Sequence, residues 1–437
     1  MRTLSMAIRA AHWFLLCGLA SSQSPGQDAA VPLTHIQALR TQATHTQVSR
    51  KQVTRAEAAR RALALSAVGR KMFFDPSLSG SGRLSCSSCH DPQHAYGPPN
   101  AESVQAGGKR AVPSLRYLQA VPEFTEHYFD SDGPDPSIDN GPTGGLTWDG
   151  RVDRGRDQAR IPLLSPLEMA NASPAAVVAK VRQAPYAAEF ERLLGKPPAD
   201  AFATVLEALE AWQQDWREFY PYSSKYDAWL AGTAQLSDLE LRGLRVFSDP
   251  EKGNCAPCHI ATRGANGTPP QFTDYGYAAL GLPRNYRISA NGNRAWYDLG
   301  LCGPERKDLE SQAQYCGEFR TPTLRNTATR SVFFHNGSVH TLREAVEFYA
   351  QRDTRPQKWY PRNGDGSIAK FDDLPSRYWR NVEMATPFGG AAGSTPPLND
   401  AEIDAIVAFL QTLNDGFNDR FNAEFNAGFK NILVQDR

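Results

Sequence analysis

The chain has 437 residues, enough for two domains that each bury a hydrophobic core. Its 47 Lys and Arg residues balance its 47 Asp and Glu residues, and hydrophobic residues make up 41% of the sequence. A balanced charge of this kind gives no indication of a nucleic-acid or polyanion partner, so the sequence predicts none.

The first segment has the composition of a secretory signal peptide. Arg2 and Arg9 precede an apolar run at 10–20, and small residues follow it. We therefore predict a signal peptide over 1–22 and export to the periplasm. The apolar run is shorter than the roughly 20 residues that span a bilayer, so we expect no stable membrane insertion. Residues 23–55, rich in Gln, Thr, Ser and Ala, are predicted to be a linker or arm.

A pentapeptide of the form C-x-x-C-H occurs twice, first after a helix predicted over 56–74 and again past the middle of the chain. The two copies are Cys86-Ser-Ser-Cys89-His90 and Cys255-Ala-Pro-Cys258-His259. In such a motif each thiol adds to a haem vinyl group, and the histidine becomes the proximal iron ligand. From composition, one copy is expected by chance about 0.002 times in a chain of this length. The sequence therefore predicts two covalently bound haem c groups, with a motif histidine on each iron.

The segments before the two motifs also resemble each other. The pattern G-x-x-apolar-F-x-D-P occurs at 69–76 and again at 243–250. We interpret this as an internal duplication of a helix, a turn stopped by proline, and a haem site. The boundary between the copies is expected near 220–225. The prediction is therefore an N-terminal haem domain over 56–222 and a C-terminal haem domain over 223–437.

Three further helix starts are indicated by capping boxes, in which an N-cap side chain and a glutamate three residues later satisfy backbone N–H groups reciprocally. The N-cap residues are Ser237, Thr341 and Asn399. Loops rich in turn residues at 122–145 and 253–293 interrupt the helical segments, and no convincing β-pattern appears. The predicted fold class is mainly α: two cytochrome-c-like haem domains in tandem with long irregular loops.

Cys302 and Cys316 remain after the haem cysteines and Cys17 of the signal segment are set aside. An even pair of cysteines in an oxidising compartment predicts a disulfide, and the alternative is two free thiols. The disulfide would close a loop of about 15 residues, for which the chain-entropy model gives about 3 kcal/mol.

Motifs between and after the haem sites carry a resemblance to a known family. They are Trp148-Asp-Gly-Arg151, Gln158, Pro166-Leu-Glu168-Met169, Phe319-Arg-Thr-Pro-Thr-Leu-Arg-Asn326 and Phe334-His335-Asn-Gly337. In content, order and spacing they resemble the bacterial di-haem cytochrome c peroxidases and the related MauG-type enzymes. The resemblance covers roughly 56–413 and implies an enzyme that reacts with hydrogen peroxide.

Peroxide cleavage requires an open iron position, a group that moves a proton between the two oxygens, and a donor that holds the peroxide. At the haem of His90, the resemblance implies that Glu168 is the acid–base group and Gln158 the donor. It also implies that Trp148 lies between the two haems and carries electrons or holes. On residue type alone, Trp148 is a core residue and Glu168 a helix-end or surface carboxylate.

In relatives the first haem can hold a distal histidine at rest, and that position falls near Ser103. No histidine occurs between His94 and His127. His94 follows His90 too closely in the sequence to reach over the haem. We therefore expect the first iron to be five-coordinate at rest or to hold only water.

The sixth ligand of the second haem is expected in or near the helix that starts at Thr341. Tyr349 lies in this helix, fourteen residues after His335. The resemblance implies methionine at that place in the peroxidases and tyrosine in MauG-type enzymes. From the residue pattern alone Tyr349 is a core tyrosine, and His340 and Met384 are the rival ligands. His335 is expected to hydrogen-bond a haem propionate or a backbone group.

The resemblance also implies a calcium ion between the haems, bound partly by an asparagine side chain and partly by backbone carbonyls. Ala111 stands at the asparagine position, and Arg330 and Val332 replace a threonine and a proline. The lost side-chain oxygen and the added positive charge weaken a calcium site, so calcium is left open.

From these observations we expect a periplasmic di-haem c-type oxidoreductase with peroxidase activity. It would reduce hydrogen peroxide with electrons from a small redox protein, a cytochrome c or a cupredoxin, or use peroxide to oxidise a partner protein. The alternative is a di-haem electron-transfer cytochrome without enzymatic activity, in which both irons are six-coordinate and low-spin.

Overall fold

A computed structural model of the chain describes residues 54–101, 108–130, 135–264 and 266–417. The predicted signal peptide, nearly all of the predicted arm, and Ser103 lie outside these residues. The chain divides into two units, Met1–Thr54 and Arg55–Arg437, and the second unit holds both C-x-x-C-H motifs. None of the helices in the described ranges has the length and apolar character needed to cross a membrane.

The described part of the chain is mainly helical, as predicted. Its α-helices are α1 (Arg55–Phe73), α2 (Gly155–Leu164), α3 (Pro174–Val181), α4 (Ala187–Leu194), α5 (Ala201–Gln213), α6 (Trp216–Phe219), α7 (Lys225–Leu230), α8 (Asp238–Ser248), α9 (Leu342–Gln351), α10 (Pro356–Trp359) and α11 (Asp400–Gln411). Two short strands, β1 (Tyr277–Ala278) and β2 (Phe319–Arg320), form an antiparallel pair with Tyr277 opposite Arg320. Loops and short 3₁₀ turns connect these elements.

The hydrophobic core of the first half is built around two crossing helices, α1 and α5. Gly69 of α1 permits the crossing, because a Cβ at that position would lie 1.8 Å from the carbonyl oxygen of Ala208. Met72 and Phe73 of α1 are buried in the same cluster, which spans residues 65–219. The helix lies within one residue of its predicted bounds at each end.

The second half repeats this arrangement with α8 and α11. Gly243 of α8 is the counterpart of Gly69 in the duplicated pattern, and a Cβ there would lie 1.9 Å from the carbonyl oxygen of Ala405. Phe247 and Phe409 are buried at the crossing, with ring centroids 5.2 Å apart. The same glycine thus makes the same helix contact in both copies. This supports the internal duplication, while the domain boundary near 220–225 stays a prediction.

The helix starts follow the predicted caps, with one difference. The capping boxes at the starts of α8 and α11 form with both reciprocal bonds. At α9 the Thr341 side chain accepts from the N–H of Glu344, but the Glu344 carboxylate accepts from the N–H of His340 rather than from that of Thr341. The helix therefore starts where predicted, but the reciprocal bond is displaced by one residue.

The predicted disulfide between Cys302 and Cys316 is present, with Cα atoms 4.9 Å apart. Both cysteines are buried, and the Asn381 amide donates to the carbonyls of Ala313 and Cys316 beside the bridge. The four other cysteines of the described residues are those of the two C-x-x-C-H motifs. The bridge therefore closes a loop of the second half that contains only a short 3₁₀ turn at Ala313–Tyr315.

Candidate functional site

Each C-x-x-C-H motif forms a turn that brings its histidine close to its first cysteine. At the first motif, the backbone N–H groups of Cys89 and His90 both donate to the carbonyl of Cys86, at 3.2 and 2.9 Å. At the second motif, the N–H of His259 donates to the carbonyl of Cys255 at 2.9 Å. The motif spacing therefore forms the same local turn twice.

A backbone carbonyl orients the imidazole of His90. Its Nδ1 lies 3.0 Å from the carbonyl oxygen of Tyr96, and because a carbonyl only accepts, Nδ1 carries the proton. Nε2 is then the unprotonated nitrogen that can bind iron. Burial lowers the pKa of His90 to about 4, so the imidazole is neutral at neutral pH. A neutral imidazole is the form that a metal ligand requires.

The imidazole of His259 has the same environment. Its Nδ1 lies 2.9 Å from the carbonyl oxygen of Phe272, and burial lowers its pKa as well. In each half the orienting carbonyl also accepts a backbone N–H, from Leu115 in the first half and from Leu324 in the second. Both histidines are therefore neutral, and protein groups alone hold each imidazole in one orientation.

A second sequence repeat, which was not among the predicted motifs, underlies the similar environments of the two histidines. Pro113-Ser-Leu-Arg116 matches Pro322-Thr-Leu-Arg325. The hydroxyl residues of the two copies, Ser114 and Thr323, each donate to a backbone carbonyl of the loop that carries the orienting carbonyl, at 2.7 and 2.6 Å. The matching tetrapeptides were visible in the sequence. The orienting carbonyls were not, because any residue type carries a carbonyl.

The motif thiols suit haem attachment better than redox exchange. Burial raises the pKa of Cys86 and of Cys255 to about 12, and that of Cys258 to about 11. Redox-active C-x-x-C thiols instead have lowered pKa values. The thiol pairs therefore fit the chemistry in which each sulfur forms a thioether with haem.

A cavity of about 390 Å³ adjoins the second motif. Cys255, Cys258 and His259 line part of it, and Tyr349 and Arg320 line other parts. Arg320 is half-buried, desolvation lowers its pKa, and no carboxylate of the described residues forms an ion pair with it. Apolar walls, attachment residues and a cation without a carboxylate partner are the features that a haem with its propionates would need.

The three candidates for the sixth ligand differ in their position relative to the cavity. Tyr349 lines the cavity, whereas His340 and Met384 are absent from its lining within the described residues. The Tyr349 ring stacks on Phe388 at 5.2 Å, and its pKa is raised first by burial and then by the thiols of the second motif. Met384 is 47% exposed, and its sulfur accepts a hydrogen bond from Arg352 at 3.3 Å.

Glu168 lies near the first motif. It follows α2 in a turn where its N–H donates to the carbonyl of Ser165 at 3.1 Å. Burial, followed by the nearby charge of Glu168, raises the pKa of the Cys89 thiol, which places this carboxylate beside the motif. Gln158 is half-buried in the first turn of α2, where its N–H donates to the carbonyl of Arg154 at 3.0 Å. One helix and the turn after it therefore carry both side chains.

Trp148 touches the surroundings of both motifs. Its indole Nε1 donates to the carbonyl of Ala111 at 2.8 Å. Two residues further on, the carbonyl of Pro113 faces the His90 imidazole. The Trp148 ring also lines the cavity beside the second motif. This position agrees with the bridging place that the resemblance implies.

Two further histidines border the sites without the geometry of proximal ligands. The His335 ring stacks on Phe319 with centroids 3.4 Å apart, and its Nε2 has no hydrogen-bond partner among the described residues. It lines the cavity, so a propionate remains the partner that we predict for it. His94 is held by Asp91, whose carboxylate lies 2.8 Å from its Nδ1. This contact agrees with its being a poor ligand for the neighbouring iron.

The described residues do not fit a calcium ion between the two motifs. The carbonyl of Ala111 accepts from Trp148, and the carbonyls of Val112 and Val332 accept from Arg330. Nowhere in the described ranges do three or more His, Cys, Asp or Glu side chains form a metal-binding group. Calcium needs six to eight oxygen ligands, and here the positive charge of Arg330 already lies at two of the candidate carbonyls.

The mainly helical fold and the paired C-x-x-C-H sites define a di-haem c-type protein. A family model described as di-haem cytochrome c peroxidase matches residues 64–235. The methylamine utilization protein MauG of Paracoccus denitrificans is 37% identical over 370 residues, which cover 80% of this chain and 89% of that protein. The chain therefore belongs to the di-haem cytochrome c peroxidase and MauG family. It is an enzyme of the peroxidase type, with haem c as its cofactor.

Other relatives agree with this assignment. The cytochrome c551 peroxidase of Nitrosomonas europaea is 28% identical over 293 residues, covering 65% of this chain and 72% of that protein. The crystal structure of the diheme peroxidase BthA from Burkholderia thailandensis matches with a TM-score of 0.70 and 37% identity, over 80% of this chain and 86% of that chain. A BthA variant with methionine in place of a tyrosine matches with a TM-score of 0.71. The predicted fold of tandem cytochrome-c-like domains is confirmed.

Proposed function

We propose that this enzyme reduces hydrogen peroxide in the periplasm at the haem held by His90, with Glu168 and Gln158 as its catalytic side chains. The supporting observation is the difference between the two motifs. Glu168 lies beside the first motif, whereas Tyr349 lines the cavity of the second. An acid–base group at one haem and a ligand at the other would make the two haems chemically unequal.

The reaction H₂O₂ + 2 H⁺ + 2 e⁻ → 2 H₂O needs proton movement as well as electrons. Haem c bound through His90 would supply an open iron position and the electrons. The Glu168 carboxylate takes a proton from one peroxide oxygen and returns it to the other, which leaves as water. The amide N–H of Gln158 donates to the peroxide and holds it during this transfer.

At the second motif, Tyr349 is the proposed partner of His259 on the iron. Burial raises the pKa of Tyr349, so its phenolate is stable only when a cation such as ferric iron compensates the charge. An anionic oxygen ligand stabilises oxidised haem and lowers its reduction potential relative to methionine. Trp148, which borders both sites, would carry electrons between them.

The two electrons come from a protein partner. Relatives named cytochrome c551 peroxidase support a small donor, either a cytochrome c or a cupredoxin. Relatives named MauG support the second form of the proposal, in which peroxide is used to oxidise a partner protein. In both forms the predicted signal peptide over 1–22 directs the enzyme to the periplasm.

Stopped-flow mixing of the holoprotein with hydrogen peroxide tests the first site. Glu168→Gln keeps the shape of the side chain but removes the acid–base group, so the reaction should slow by roughly 10²–10⁴-fold. Glu310→Gln is the matched control, because Glu310 is exposed. If Glu168→Gln reacts as fast as the wild type, Glu168 is not the acid–base group.

EPR and resonance Raman spectra of the resting protein test the second site. We expect a high-spin signal from the first iron and a histidine–tyrosinate signature from the second. Tyr349→Phe should abolish the tyrosinate bands, and Tyr349→Met should raise the reduction potential of the second haem. Tyr286→Phe, at a side chain that is 63% exposed, is the control. Two six-coordinate low-spin irons would instead support the electron-transfer cytochrome.

A further inference from the structure

A half-buried cation without a carboxylate partner lies between the two haem sites. The Arg330 guanidinium donates from Nη2 to the carbonyl of Val112 at 3.0 Å and from Nε to the carbonyl of Val332 at 3.1 Å. No carboxylate of the described ranges forms an ion pair with it. Desolvation lowers its pKa to about 10, which still leaves it charged at neutral pH. Taking a charge partly out of water without an opposite charge is costly unless it is well hydrogen-bonded, so it requires a reason.

The two carbonyls belong to segments that serve different haem sites. Val112 precedes Pro113, whose carbonyl faces the His90 imidazole. Val332 lies three residues before His335, which lines the cavity of the second motif. Both valines are 2% exposed or less. The guanidinium therefore joins the surroundings of the first haem to those of the second through two buried residues.

The same two segments are tied by neighbouring hydrogen bonds. The N–H of Ala111 donates to the carbonyl of His335 at 2.6 Å, and the carbonyl of Ala111 accepts from Trp148 at 2.8 Å. Arg330 thus stands beside backbone groups that tie the same two segments together. Its Nε and Nη2 are the charged donors to the carbonyls of Val332 and Val112.

Proteins also bind hard metal ions with backbone carbonyls that converge on the positive charge. A guanidinium brings the same charge sign together with directional donors, and it needs no carboxylate ligands. We propose that Arg330 is a built-in cation that takes the place of a metal ion between the two haem sites and holds the Val112 and Val332 segments together. The inference needs both haem sites, but it is independent of the proposed roles of Glu168 and Tyr349.

The position of Arg330 has an electrostatic consequence for the first haem. The Arg330 Nη1 atom lies 3.2 Å from the position that a Cβ would take at Gly97, the residue after Tyr96, and the Tyr96 carbonyl orients His90. A fixed positive charge beside the proximal ligand disfavours the oxidised haem, which carries one more positive charge than the reduced haem. Arg330 therefore raises the reduction potential of the first haem, in addition to positioning the segment beside it.

Metal analysis of the holoprotein is the first test. The wild type, dialysed against EGTA, should contain no stoichiometric calcium, and its visible spectrum and peroxide turnover should be unchanged. Adding calcium back should change neither property. Stoichiometric calcium whose removal alters the spectrum would overturn the proposal.

Potentiometric titration of three variants is the second test. Arg330→Gln removes the charge, so the midpoint potential of the first haem should shift to more negative values. Arg330→Lys keeps the charge and should stay near the wild-type potential. Arg380→Gln, at an exposed arginine, is the charge-loss control and should leave the potential unchanged.

These outcomes separate an electrostatic role from a purely structural one. A wild-type potential in Arg330→Gln would overturn the proposal, as would an equal shift in Arg330→Gln and Arg330→Lys. If Arg330→Gln does not retain haem, the proposal is tested by the midpoint potential of Arg330→Lys and by the calcium measurement on the wild type. A slow Glu168→Gln variant, or one as fast as wild type, bears only on the proposed function and leaves this inference intact.

Discussion

The two halves of the molecule treat their proximal histidines alike and differ in what the rest of the chain brings to each motif. His90 and His259 each direct Nδ1 to a backbone carbonyl that also accepts a leucine N–H. The first motif is approached by the Glu168 carboxylate, and the second borders a cavity lined by Tyr349. The duplicated segments therefore set up the haem attachment, whereas unduplicated segments distinguish the two sites.

The helix crossings extend the likeness of the two halves into their cores. Gly69 and Gly243 occupy equivalent places, and each lets its helix approach the backbone of a partner helix. The equivalent arginines Arg116 and Arg325 pair with carboxylates in different surroundings, and the disulfide lies in the second half. The three predictions below test how far the likeness holds, beginning with the largest expected effect.

Valine at either duplicated glycine should destabilise its own half severely. In Gly69→Val or Gly243→Val the added Cβ meets a backbone carbonyl oxygen at 1.8 or 1.9 Å, so the two helices must separate. We expect each variant to lose more than about 4 kcal/mol of unfolding free energy. Urea unfolding followed by circular dichroism measures this loss. Gly292→Ala is the control, since a Cβ there meets nothing within 4 Å.

The equivalent arginines Arg325 and Arg116 should differ in what their removal costs. Arg325 forms a bidentate pair with Asp227, at 2.8 and 2.9 Å, and its side chain is fully buried. Arg325→Met leaves the buried Asp227 carboxylate without a cation, so it should cost about 3–5 kcal/mol. Arg116→Met should cost only about 1–2 kcal/mol, because Asp415 still accepts from Tyr117 and other donors. Equal costs in chemical denaturation would show that the two pairs are equivalent after all.

The pH dependence of stability sharpens this prediction. Burial alone raises the pKa of Asp227, but hydrogen bonds and charge from Arg325 outweigh it, so the pKa lies below its usual value. A lowered folded-state pKa stabilises the protein above the unfolded pKa of about 3.9, and this stabilisation is lost as the pH falls through the folded value. In Arg325→Met, burial has the largest effect on Asp227, so its pKa should lie above its usual value instead of below it. The difference in unfolding free energy between the wild type and Arg325→Met should therefore become smaller as the pH falls from neutral to acid.

Removal of the disulfide should produce a smaller effect confined to the second half. Replacing Cys302 and Cys316 by serine opens a loop whose ends are 14 residues apart in the sequence. The chain-entropy model gives a loss of about 3 kcal/mol of unfolding free energy for a loop of this length. We expect the spectrum of the first haem to stay unchanged, because the bridge lies in the second half. Thermal unfolding with and without reductant measures the effect in the wild type. A changed signal from the first haem would show coupling through this loop.

Local signals in the sequence predicted a large part of the fold. The cap residues at Ser237, Thr341 and Asn399 located three helix starts, because capping depends on side chains within one turn. The disulfide followed from the count of remaining cysteines. The displaced bond of Glu344 was not predictable, since a carboxylate at that position reaches either of two neighbouring N–H groups.

The functional sites show the same division between features set by local sequence and features set by the tertiary structure. The sequence alone predicted the two haem attachments and a motif histidine on each iron, because C-x-x-C-H chemistry operates within five residues. Only the tertiary structure decided which carbonyls orient those histidines, that Tyr349 rather than Met384 borders the second cavity, and that Arg330 donates to the carbonyl of Val112. The contact between Arg330 and Val112 joins segments that lie far apart in the chain. The orienting carbonyls and the acceptors of Arg330 are backbone atoms, which leave no trace in residue identity.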